Sequence, residues 1–299
     1  ITILKDAAAT GLYGSRASNG VIIITTKSGQ AGKTRVNVSS SVGFNTVTEG
    51  NYRVMNSRQL YDYQRTFWDP ATWDAERPAS LLNQDTDWRD LMFNTGVTQN
   101  HTVSVSGGSD KTQMYVSGNY YKEEGTLGPT SNEAFNIRSN IAHRIGEKFK
   151  ISVKLNARDR RMEDEAAGSN FLTTHENMPW DNPFNPDGSL KMGTEEEWIG
   201  RDNDNFLHGW QYNFDVARES CINGDIILDY EISKNLTFSS NNRASYRDGK
   251  RELYYDVRAK AGAGEGRLTN DFYNDRQFIT SNRLLYETTF GSHNFSGMA

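Results

Sequence analysis

Lys148-Phe149-Lys150-Ile151-Ser152-Val153-Lys154-Leu155-Asn156-Ala157 is the stretch on which the fold turns. Phe149, Ile151, Val153, Leu155 and Ala157 alternate with Lys148, Lys150, Ser152, Lys154 and Asn156. In a strand the two sets fall on opposite faces. The alternation predicts that the apolar set meets lipid while Lys150 and Lys154 face a wet interior.

Outward from this stretch the same period recurs at Val36 to Phe44, His101 to Val105, Met114 to Tyr120, Phe135 to Ile141, Ile226 to Ile232 and Leu236 to Ala244. It is less clean from Phe278 to Phe290, and a last strand begins near Phe295. Nine strands are expected, most of them 9 to 13 residues long. Globular strands run about 5 or 6 residues, whereas strands of membrane barrels need about 9 to 11 at their tilt. The connections alternate in length. Long or medium ones (45 to 97, 123 to 133, 162 to 220, 248 to 275) follow odd strands, and tight turns (107 to 111, 144 to 147, 233 to 235, 291 to 293) follow even ones. Long outer loops and short inner turns are the habit of transmembrane β-barrels. The fold class expected is all-β, a transmembrane antiparallel β-barrel. Nine strands cannot close such a barrel, which takes an even number. With Ile1 opening in a strand and the C-terminal end in mid-alternation, the chain reads as an internal piece of a longer one.

Composition agrees. Of the 299 residues 35% are hydrophobic and 24% charged, with a net charge of −5. The longest clean apolar run, Val21 to Ile24, is far short of the ~20 residues a spanning helix needs. Barrel strands also read as polar, because half of each faces the lumen. A mildly acidic chain excludes nucleic acid as the main partner. One cysteine, Cys221, excludes an intrachain disulfide and a multi-cysteine zinc site.

Residues 1 to 29 differ from the rest. Asp6 can cap a short helix through Ala7-Ala8-Ala9, Gly11 and Gly14 break it, Asn19-Gly20 makes a turn, and Val21 to Thr26 is a β-branched strand that asks for burial on both faces. The run Ile3-Leu4-Lys5-Asp6-Ala7-Ala8-Ala9-Thr10, then Leu12-Tyr13-Gly14-Ser15-Arg16-Ala17-Ser18-Asn19-Gly20-Val21, resembles the end of the plug domain in TonB-dependent outer-membrane receptors of the SusC/RagA branch. Lys5, Asp6, Tyr13, Gly14, Arg16, Asn19 and Gly20 carry that likeness. Thr86-Asp87-Trp88, the run Gln99 to Thr112, Glu124-Gly125, Ile137 to Asn140 and the loop motif Pro186-Asp187-Gly188-Ser189 are similar to later motifs of the branch. Gly11 departs from it, standing where relatives continue the helix.

The resemblance implies a barrel of 22 strands around an α+β plug, with residues 1–29 as the end of the plug and 30–299 as the first part of the barrel. It implies the outer membrane of a Gram-negative, Bacteroidetes-type bacterium. It also implies import of oligosaccharides or peptides, energy from the TonB complex through a region outside this chain, and a SusD-like surface lipoprotein as lid. It implies no cofactor.

Other motifs read as structural. The glycines lack dinucleotide spacing, and Gly32-Lys33-Thr34 lacks the glycine five positions earlier that a phosphate loop needs. Asp202-Asn203-Asp204-Asn205 offers oxygen ligands without calcium-hand spacing, and His101, His143, His175, His208 and His293 are scattered, so no metal site is expected. The acid pairs Glu163 with Glu165 and Asp181 with Asp187 leave a surface glycosidase only as a rival. Tryptophan is the sharper signal. Trp68, Trp73, Trp88, Trp180, Trp198 and Trp210 all fall in the long connections, where they are candidates for substrate or lid contact, with loop packing or an interfacial girdle as the alternative. Residues 162 to 220 hold 13 Asp and Glu against 3 Lys and Arg, an acidic outer surface. Two further readings stay open: a siderophore receptor, and a soluble β-rich carbohydrate-binding protein or adhesin.

Overall fold

The structure is a computed structural model and describes residues 2–5, 19–24, 27–48, 50–166, 173–195, 198–199, 204–262 and 264–299. Among the described residues, nine strands form one antiparallel sheet in which every strand pairs with its neighbours in sequence. They are β3 (Gly32–Asn45), β4 (Gly96–Gly108), β5 (Thr112–Glu124), β6 (Ser131–Ile145), β7 (Phe149–Asp164), β8 (Phe214–Ser233), β9 (Leu236–Tyr255), β10 (Arg267–Phe290) and β11 (His293–Met298). This is the up-and-down wall of part of a barrel, and the nine strands do not close on themselves. No described helix is long and apolar enough to cross a membrane.

The register fixes two chemically distinct faces. Val38 stands opposite Val103, Val36 opposite Val105, Val105 opposite Val116, Ile141 opposite Val153, and Val153 opposite Ile226. This apolar face is bare: Val38, Val103, Ile137, Val153 and Ile226 are all exposed. A bare apolar band of this extent is unstable in water and is solvated by hydrocarbon. Aromatic residues border it. Phe149, Tyr230 and Phe238 stand side by side near the short turns, and His101, Tyr120 and Phe135 toward the long connections. The band ends outward at Asp159, whose carboxylate accepts a hydrogen bond from Ser220 at 2.6 Å. On the opposite face Lys150, Ser152 and Lys154 line clefts shared with Ile24 and Ser28, so the alternation of β7 points as its sequence requires.

A separate two-stranded sheet joins β1 (Thr2–Leu4) and β2 (Val21–Ile23), with Leu4 opposite Val21. Gly20 makes this return possible. Its φ is +96°, and a Cβ there would stand 3.0 Å from the Leu4 carbonyl oxygen. The segment lies against the polar face of the wall, where the Asn140 side chain donates to the Lys27 carbonyl at 2.6 Å. The burial expected on both faces of this strand is not found: Ile22 is 65% exposed, because a two-stranded ribbon has no layer of its own to cover it. Of the plug motif, Lys5, Asn19 and Gly20 are seen, while Asp6, Tyr13, Gly14 and Arg16 lie outside the described residues.

The connections keep their alternation but are shorter than expected, because the strands run on. β9 and β10 continue to Tyr255 and from Arg267, so most of 248 to 275 is hairpin. Beyond the lipid band the apolar alternation stops, and polar pairs continue the ladder: Arg251 forks onto Asp215, and Glu219 takes Arg158 and the Tyr273 hydroxyl.

Candidate functional site

The four outer connections pack onto one another rather than standing free. The first, after β3, folds into helices α1 (Ser57–Arg65), α2 (Pro70–Glu76) and α3 (Trp88–Met92), with a 3-10 turn at Ala79–Asn83. Each helix start is written locally. Asn56 and Gln59 form a capping box, Asp69 caps a helix whose first residue is Pro70, and Asp87 accepts from Arg89 N and Asp90 N. These caps were legible signals, and the strand reading of the chain passes over them. The third connection carries α4 (Thr173–Glu176) and α5 (Phe206–Tyr212).

Two aromatic cores join the connections. Tyr61, Trp73, Leu81 and Trp180 form one, and Trp88, Met92 and Phe206 the other, with Trp198 and Trp210 packed against the second. One indole N–H crosses between loops, Trp88 donating to the Met178 carbonyl at 2.9 Å, and two tie the third connection to itself, Trp180 donating to the Ile199 carbonyl at 3.0 Å and Trp210 to the Glu165 carboxylate at 3.1 Å. The Trp210 ring also lies on Gly128, where a Cβ would come within 2.4 Å of it. Trp73 is 0% exposed, and Trp88 and Trp180 are buried. The rings of Trp73 and Trp180 pack between the loops, and Trp88, though buried, borders the cleft described below. Trp68 differs. It is 39% exposed, beside exposed Tyr63 and Phe67, with the Arg77 guanidinium 5.7 Å from its ring centre.

A cleft of about 560 Å³ opens between the first and third connections. Tyr52, Gln64, Asp85, His175 and Glu176 offer polar groups to it, and Met55 and Leu60 apolar ones. Behind it Thr86 ties the two connections, donating its N–H to the Pro179 carbonyl at 2.6 Å and its hydroxyl to that of Asp181 at 2.8 Å. Burial pushes the Asp181 carboxyl up to about 7, a rise that Arg77 and Lys191 only partly offset. Glu195 goes the other way: burial would raise it, but three N–H groups, of Met192, Gly193 and Thr194, hold it below its ordinary value.

The remaining sequence candidates have structural partners. Glu163 pairs with Arg161 and Glu165 receives Trp210, while Asp187 closes a turn on Ser189. Asn205 is fully buried, donating to the Pro183 and Lys191 carbonyls and capping α5, while Asp202 and Asn203 lie outside the described residues.

No family model matches the chain. The chain is 27% identical over 304 residues to TonB-dependent receptor P3 of Formosa agariphila, covering 98% of this chain and 29% of that protein. It is 36% identical over 184 residues to TonB-dependent receptor SusC of Bacteroides thetaiotaomicron, covering 60% and 18%. The chain thus spans less than a third of the length of these curated relatives. Its fold matches the RagAB peptide importer in the closed-closed state with a TM-score of 0.81 at 22% identity, covering 99% of this chain and 37% of that one. TonB-dependent receptor P3 thus aligns along nearly the whole sequence and SusC along 60% of it, and with the RagAB fold matched over 99% of its length the chain is similar throughout to SusC/RagA-like TonB-dependent receptors.

Proposed function

We propose that the protein to which this chain belongs imports an oligomeric nutrient, a glycan or a peptide, across the outer membrane of a Gram-negative bacterium. The reading rests above all on the two-faced sheet, whose bare apolar face asks for lipid and whose polar face lines a passage. The relatives support it, being TonB-dependent receptors and a peptide importer by name. In this reading residues 1–29 are the end of a plug and 30–299 the first part of the barrel wall. The chain binds and passes its cargo and catalyses no reaction.

The outer connections then carry the partner surface. The Tyr63, Phe67 and Trp68 corner is an exposed aromatic patch of the kind that anchors interfaces, and it is our candidate contact for a SusD-like lipoprotein. The nearby cleft is the candidate entry for cargo. Energy is supplied by the TonB complex through a part of the protein beyond this chain.

Deletion of the complete gene, with growth measured on single oligosaccharides and peptides, tests the reading. Loss of growth on one of them, restored by the gene only in cells with intact TonB, is expected. Full growth on every substrate, or recovery of the receptor in the soluble fraction, would overturn it.

A further inference from the structure

The lumen side of the wall carries a charge pattern that the whole chain does not share. Three clefts lie between the β2 segment and the wall, of about 430, 500 and 440 Å³, and Ile24 borders each. Six cations line them, Lys27, Arg138, Lys150, Lys154, Arg243 and Arg283, against two carboxylates, Asp225 and Asp229. Both carboxylates are engaged. Arg243 reaches Asp225 at 2.7 Å, and the Ser239 hydroxyl donates to Asp229 at 2.6 Å. Arg138, Lys150, Lys154 and Arg283 have no ion-pair partner among the described residues. The net charge of the sequence is −5, so this surplus reflects placement and not composition.

Cations held together on a concave wall repel one another, and a cleft of one sign concentrates counter-ions of the other. Lysine and arginine also bind carboxylates through charge-assisted hydrogen bonds. Asn140, Asn156, Asn223 and Asn241 add neutral donors and acceptors between the charges. We propose that these clefts form a subsite for carboxylate groups, and that the cargo of this receptor is an acidic oligomer. The inference rests on the import reading and narrows it to a substrate class. Acidic peptides and uronic-acid glycans share the chemistry, and the arms of the experiment separate them.

The test is calorimetric titration of the complete, detergent-purified receptor with hexaglutamate, hexagalacturonate, and the neutral hexaserine and maltohexaose. One acidic oligomer is expected to bind at least about tenfold tighter than its neutral counterpart, and to lose most of that advantage when salt rises from about 20 to 300 mM. Lys150→Gln with Lys154→Gln should remove the advantage, while Lys111→Gln at an exposed turn should keep it. Heat-modifiable migration on a gel reports whether the double variant assembles. If it does not, Arg283→Gln takes its place. Equal binding of acidic and neutral oligomers, or an acidic preference that survives these substitutions, overturns the proposal. Binding of neutral oligomers alone overturns it while leaving import intact. Absence of binding by any oligomer overturns it too, and the deletion strain then decides import separately.

Discussion

At the scale of single residues, the six tryptophans divide by burial. Trp73 has no exposed surface and packs edge-on to Tyr61 at 5.0 Å, so Trp73→Ala leaves a cavity between two connections. A loss of about 3–5 kcal/mol in the local stability of the outer cap is expected, read as faster amide exchange across 57–83 with the barrel still assembled. Trp68 packs edge-on to Trp73 at 5.7 Å, so Trp68→Ala should cost about 1 kcal/mol, well below the Trp73→Ala loss, yet reduce co-purification of the lipoprotein. Equal partner recovery would remove Trp68 from the interface. Asp181 gives the cap a pH dependence. Its carboxyl titrates near 7 when buried and at an ordinary 3.8 when the junction opens. The closed junction therefore binds the proton more tightly. Its advantage is complete below about pH 4, declines as pH rises toward 7, and is level above that. The full swing is at most about 4 kcal/mol. Asp181→Asn should flatten the profile of Trp fluorescence against pH over this window, and an unaltered profile would assign the titration elsewhere.

At the scale of elements, β8, β9 and β10 outrun the membrane because polar pairs replace lipid as the reason to stay extended. The Asp215 carboxylate is 6% exposed and the Arg251 guanidinium 51%. The two ends of the pair are therefore unequal. Arg251→Ala strands a buried carboxylate at a cost of about 1–3 kcal/mol, whereas Asp215→Ala leaves an arginine that water can solvate. Exchange at the top of the β8–β9 hairpin should rise more in Arg251→Ala than in Asp215→Ala, and the reverse order would show that the fork is not what holds the hairpin. Much of this was legible. The turns at 109–111, 146–148 and 234–235 fall where the period breaks, and each of the nine strands contains the stretch where alternation puts it. The upper halves of β9 and β10 were not legible as strand. Lys250, Glu252, Asn270 and Asp271 show no apolar period, and only pairing with the neighbouring strand makes extended backbone favourable there.

At the scale of the whole molecule, the wall is stable only between two solvents. Val153 sits within the apolar band, flanked by Ile141 and Ile226. Val153→Arg should destabilise insertion of the complete receptor by about 2–4 kcal/mol near mid-membrane, and Lys154→Arg should not. The fraction recovered as heat-modifiable barrel from outer membranes measures both, and equal recovery would mean that Val153 does not meet lipid. The sequence by itself determined the strands, their faces, the parity of the connections and the likeness to SusC/RagA receptors. All of these follow from side-chain period and local turn chemistry, which act over a few residues. Only the tertiary structure decided that Trp73, Trp88 and Trp180 are buried while Trp68 is more exposed, that Asp181 sits where its charge is costly, and that six cations gather around the clefts between the wall and the β2 segment. Burial and charge density depend on which distant segments meet, and no spacing along the chain records that.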